Sequence, residues 1–82
     1  MNRSYFIERI QELEFKKYDP KTTISTLLKS EYYNLGEFRV VFGEKKKKVL
    51  VRVSPTMQEL TLCHSWSTGL ALIKQILKDN EE

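Results

Sequence analysis

Two short segments of alternating apolar and polar residues, Glu37-Phe38-Arg39-Val40-Val41-Phe42-Gly43 and Val49-Leu50-Val51-Arg52-Val53, are separated only by Glu44 and the run Lys45-Lys46-Lys47-Lys48. Successive side chains of a strand point to opposite faces, so two such runs joined by a short polar stretch predict a β-hairpin. Pairing Gly43 with Lys48 sets Phe42 against Val49, Val40 against Val51 and Phe38 against Val53, an apolar inner face on both strands. The same pairing puts Val41 opposite Leu50 and Arg39 opposite Arg52 on the outer face. A one-residue slip would turn every apolar side chain to the wrong side, so the choice of faces is strongly specified. Directly opposed arginines are mildly unfavourable in a sheet, and keeping them together suggests an anionic partner or neighbouring acids.

From Ser4 to Lys17, apolar Phe6, Ile10 and Leu13 share one helical face with Ile7 beside them, and Ser4 or Asn2 can cap the start. Tyr18-Asp19-Pro20 breaks this helix, because Pro20 disfavours a helical conformation at Asp19. With Asp19 as N-cap and Pro20 at the first position, a second helix is expected over about 20 to 34, carried by Ile24, Leu27, Leu28, Tyr32 and Leu35 and ended by Gly36. The β-branched stretch Thr22-Thr23-Ile24-Ser25-Thr26 could instead favour a short strand. Gln58 to His64 alternates as a third strand, with Leu60, Leu62 and His64 on one face and Glu59, Thr61 and Cys63 on the other. The competing reading starts a helix at Ser54-Pro55. Trp66, Leu70, Ile73 and Leu77 define a last helix to about Lys78, capped by Ser65 or Ser67, before an acidic tail, 79–82, expected to fray.

These elements predict an α+β chain forming one small domain over residues 1–82: two N-terminal helices, a three-stranded antiparallel meander with a basic hairpin tip, and a C-terminal helix packed on the sheet. The inner row Phe38, Val40, Phe42, Val49, Val51 and Val53 would meet Phe6, Ile10, Leu13, Leu27, Leu28, Leu70, Ile73 and Leu77. The order α-β-β-β-α resembles that of double-stranded RNA-binding domains in sequence of elements alone. Ser65-Trp66-Ser67-Thr68-Gly69 stands where those domains carry a basic cluster, so no site is transferred. Reading 55–64 as helix would instead give a winged helix with the lysines at the tip of the wing.

Charge points to function more than any motif does. The net charge of +3 is mild, but between Arg39 and Arg52 six basic residues face one acid, Glu44. Basic charge concentrated on one projection makes a polyanion the first partner to consider. A single cysteine and no recognisable secretory leader fit a cytoplasmic, reducing location, and no apolar run approaches the roughly 20 residues needed to cross a bilayer.

No catalytic constellation accompanies that charge. Cys63 and His64 are adjacent and on a strand would face opposite ways, and no further cysteine or histidine completes a metal site. Gly43-Glu44-Lys45-Lys46 lacks the leading glycine and the Lys-Ser/Thr pair of a phosphate loop, Glu12 and Glu14 diverge on an exposed helix, and no cofactor is implied. The expectation is a non-enzymatic nucleic-acid-binding module. It would use Arg39, Lys45, Lys46, Lys47, Lys48, Arg52 and, as a surface aromatic, Tyr33. The alternative is a protein-interaction module, a small regulator or inhibitor or a homodimer, in which Val41 and Leu50 form an interface and the basic loop meets an acidic surface. The bland reading of the lysines is a solubilised turn that blunts an edge strand, and Trp66 reads as core.

Overall fold

A computed structural model describes residues 1–18, 30–56 and 58–80. Within them the chain is α+β: helix α1 (Arg3–Glu12), strands β1 (Lys16–Lys17), β2 (Glu31–Leu35), β3 (Phe38–Lys45), β4 (Lys48–Ser54) and β5 (Thr61–Cys63), and helix α2 (Trp66–Asp79). The strands form one antiparallel sheet in the order β1-β2-β3-β4-β5.

Helix α1 begins where expected, with the Asn2 side chain accepting from the Tyr5 N–H at 2.9 Å. It stops five residues before Lys17. The Glu14 N–H donates to the Gln11 carbonyl and the Phe15 N–H to the Ile10 carbonyl, and Glu14 sits at φ 77°. That paired closure with a left-handed residue is a Schellman ending, and its usual apolar contact is supplied by buried Phe15 and Ile10. Lys16 and Lys17, expected in the helix, consequently enter the sheet as β1.

The expected second helix over 20–34 is overturned at its C-terminal end, where Glu31–Leu35 is strand β2; residues 20–29 lie outside the described residues. Gly36, at φ +61°, makes the tight turn from β2 to β3, with Leu35 paired to Phe38. A helix C′ position and the first central position of a type II′ turn both require positive φ, so the same glycine served either reading. Pairing with β3 decided for the strand, and the three-stranded meander becomes five-stranded. Tyr33 therefore faces inward and is 3% exposed, whereas Tyr32 faces out, the reverse of the helical assignment.

The hairpin register also differs. Phe42 pairs with Val51, Val40 with Val53, Val41 with Arg52, Gly43 with Leu50 and Arg39 with Ser54, two residues from the expected alignment. The reason is the turn. Lys45 pairs with Lys48, and the two residues between them, Lys46 (φ 49°) and Lys47 (φ 66°), are both left-handed, the signature of a two-residue type I′ turn. Because the shift is even, every side chain keeps its face. Arg39 and Arg52 are not directly opposed.

The third strand is shorter than 58–64, covering Thr61–Cys63, and residues 54–56 enter neither a helix nor the long helix of a winged fold. Helix α2 follows, capped by Ser65 Oγ accepting from the Thr68 N–H at 3.1 Å. Asp79 is its last residue and Asn80 its C-cap, so the expected fraying tail is helical at its start; residues 81–82 are outside the described residues.

Both helices lie on the inner face. Phe6, Ile10, Ile73, Val40, Phe42, Val51 and Val53 are fully buried, each stabilising by about 1.5–3 kcal/mol. An aromatic cluster joins the layers: Phe6 meets Phe42 edge-on and Trp66 at a tilt, both at 5.1 Å, and Tyr33 stacks on Phe42 at 5.6 Å. Trp66 is core, as are Leu70 and Ile73, while Leu13, Val49 and Leu77 pack half-buried at the margin. Leu27 and Leu28 lie outside the described residues.

Candidate nucleic-acid interface

With the helices on one face, the pairing lays out the other as rows across the sheet. One row is Lys16, Asn34, Arg39 and Ser54. The next carries Tyr32, Val41, Arg52 and Leu62, extended by Tyr18, whose N–H donates to the Tyr32 carbonyl at 2.9 Å. Gly43 and Leu50 make a third, and Lys45 and Lys48 close the tip. Five outer-face strand positions are cationic and none is acidic.

The acids within the strands face the other way by the same alternation. Glu31 points inward from β2, where it pairs with Arg3 and lies 3.6 Å from Lys17. Glu44 has inner parity opposite Val49, and Glu37 lies in the turn after Gly36. Among the described residues, Lys16, Arg39, Lys45, Lys48 and Arg52 form no ion pair. They share one face of the sheet, so their fields add, although Glu37 and Glu59 line a pocket together with Arg39 and partly oppose its charge.

Aromatic and apolar groups are interleaved with these cations. The Tyr18 and Tyr32 rings meet edge to face at 5.8 Å, and the Arg39 guanidinium carbon lies 5.8 Å from the centre of the Tyr18 ring, within cation–π range. Beside them a groove of about 430 Å³ is floored by Val41, Gly43 and Leu50 and bordered by Lys45, Lys48, Arg52 and His64.

The structure thus brings together Arg39, Arg52, Val41, Leu50 and the lysine tip, and separates Tyr33 from them, since its ring is buried on the opposite face. Burial pushes the Tyr33 hydroxyl above its ordinary value, reinforced by the Glu31 charge and partly offset by Lys17 and Arg3. Lys16 and Tyr18 were not singled out from the sequence, Tyr32 was assigned to the apolar stripe of the expected second helix, and His64 was weighed only with Cys63. Tyr32 carried no alternation signal, since Glu31–Leu35 mixes polar and apolar residues on both faces, and it continued the helical spacing of the residues before it.

Cys63 points inward opposite Val51, 4% exposed, and burial raises its thiol pKa. His64 is exposed on the groove. Among the described residues no group of three or more His, Cys, Asp or Glu side chains could hold a metal ion, and no helix is long and apolar enough to cross a membrane. Comparison with known proteins finds no matching family model, no similar curated protein and no similar solved structure.

Proposed function

We propose that this chain binds nucleic acid, without catalysing a reaction, through the sheet face opposite α1 and α2 and the lysine tip of the β3–β4 hairpin. The observation that carries the reading is the segregation of charge: five cationic outer-face strand positions and no acidic one. A polyanion is the ligand complementary to such a face, because its phosphates exchange condensed counterions for lysine and arginine. The turn supports this independently. Lys46 and Lys47 occupy left-handed positions where Asn-Gly would be unstrained, so the tip keeps two charges at a conformational cost.

The test is binding of labelled DNA and RNA across a salt series, by the wild type and by a variant with Lys45, Lys46, Lys47 and Lys48 all changed to Ala. Four phosphate contacts give a slope of about −3.6 in log affinity against log salt on duplex DNA, and the variant should lose most of it. Undetectable or salt-insensitive binding by the wild type refutes the proposal. A second reading, a protein partner or second copy covering Val41 and Leu50, is favoured by the exposure of Leu60 (61%) and Leu62 (50%) beside the same face. It requires an oligomer by light scattering, or a recovered partner, that Val41→Glu abolishes.

A further inference from the structure

We infer that the ligand of the outer face is single-stranded nucleic acid, its unpaired bases lying on Tyr18, Tyr32 and the Val41–Leu50 floor while its phosphates follow the cations. This rests on the nucleic-acid reading above and narrows it. A duplex shows a docking flat face mainly charged phosphates and sugars, because its bases are stacked inside and approached only through the grooves. The outer face here is too broad for that. Its central row runs from Tyr18 through Tyr32, Val41 and Arg52 to Leu62, spanning roughly 19 Å at sheet spacing. Set against a duplex backbone, Tyr18, Tyr32, Val41 and Leu62 would be dehydrated against charge with nothing apolar in return.

A single strand matches both kinds of group at once. Each base has a π-face that covers an aromatic or aliphatic side chain, and the backbone between bases carries the charge that lysine and arginine neutralise. The cations border the apolar surface on both sides. Lys16 and Arg39 lie in the row beside the tyrosines, and Lys45 and Lys48 lie past the groove, Lys45 being six residue steps along β3 from Arg39, about 20 Å. Arg39 already stands over the Tyr18 ring, leaving its guanidinium placed for a phosphate or the next base. The groove bordered by Arg52, Lys45, Lys48 and His64 is concave and apolar at its floor, suited to a flat ring with an anionic substituent.

The experiment compares fluorescence anisotropy of one labelled sequence of about 12 nucleotides as single-stranded DNA, as single-stranded RNA and as duplex. Wild type, Tyr32→Ala, Tyr32→Phe and Tyr18→Ala are measured, each checked for the native circular dichroism spectrum. At least one single-stranded form should bind about tenfold tighter than the duplex, and Tyr32→Ala or Tyr18→Ala should weaken it by about tenfold, with Tyr32→Phe near wild type and duplex affinity unmoved. Equal or tighter duplex binding overturns the inference, as does single-strand affinity left unchanged in both folded alanine variants. Binding to neither form overturns the nucleic-acid reading itself, so the two failures are distinct.

Discussion

Replacing Lys46-Lys47 by Asn-Gly should make the fold more stable while weakening its grip on a polyanion. Both lysines lie in the left-handed region, at φ 49° and 66°, where the Cβ of an ordinary residue crowds the neighbouring carbonyl at about 1–2 kcal/mol each. Asparagine relieves part of that strain and glycine all of it, while the greater freedom of glycine in the unfolded chain takes back about 0.5–1 kcal/mol. Removing two charges next to the directly opposed Lys45 and Lys48 adds a few tenths of a kcal/mol. The net gain is about 1–2 kcal/mol, and each kcal/mol raises the Tm of a domain this size by about 4–8 °C. Thermal and urea denaturation followed by circular dichroism read the gain directly. In the binding assay the salt slope should shrink by about 1.4 on single strands, or about 1.8 on duplex, if both lysines reach phosphates. Unchanged or lower stability would refute the assignment of strain to this turn. A Lys46→Val control should move the other way by about 1 kcal/mol or more, since a β-branched residue is poorly tolerated there.

Three further outcomes follow from the packing. Glu14→Gly places the preferred residue at the left-handed end of α1 and should stabilise by about 0.5–1 kcal/mol in urea titration. Gly69→Ala should destabilise despite better helix propensity, because the new Cβ would lie 3.0 Å from Val51 Cγ1 in a fully buried contact between α2 and β4; the expected loss is about 1 kcal/mol, with positive coupling to Val51→Ala in a double-mutant cycle. Cys63 and Tyr33 are protonated in the fold with pKa values raised, chiefly by burial, so the unfolded chain releases these protons first as pH rises. Their contribution to stability is complete below the ordinary values of 9.0 and 10.0 and is lost as pH climbs through the raised ones, so the urea midpoint should fall above about pH 9, later in Cys63→Ala.

The candidate site was legible to the extent that it depends on alternation. The faces of β3 and β4 were readable because a period of two is insensitive to an even register shift, so Arg39, Val41, Leu50 and Arg52 reach the outer face under either alignment. The alignment itself was not, because nothing local announces a type I′ turn built from two lysines; the usual Asn-Gly cue is missing. Tyr32 and Tyr33 exchanged roles for a similar reason. In five residues, helical and strand periodicities overlap, and Gly36 terminates either.

What the sequence by itself determined was the apolar and charged content of each face, together with the local caps: Asn2 and Ser65 at helix starts, the strand alternation on either side of the lysines, and the Trp66-Leu70-Ile73 stripe. These are interactions within a few residues, written in spacing and residue type. Only the tertiary structure decided that Glu31–Leu35 joins the sheet, that Lys16 and Lys17 pair beyond it, and that Lys16, Tyr18 and Tyr32 share a face with Arg39 and Arg52. Hydrogen bonding along β3 and burial of Tyr33 against Phe42 settle that choice, and both partners lie outside the segment whose conformation they fix, across the Gly36 turn.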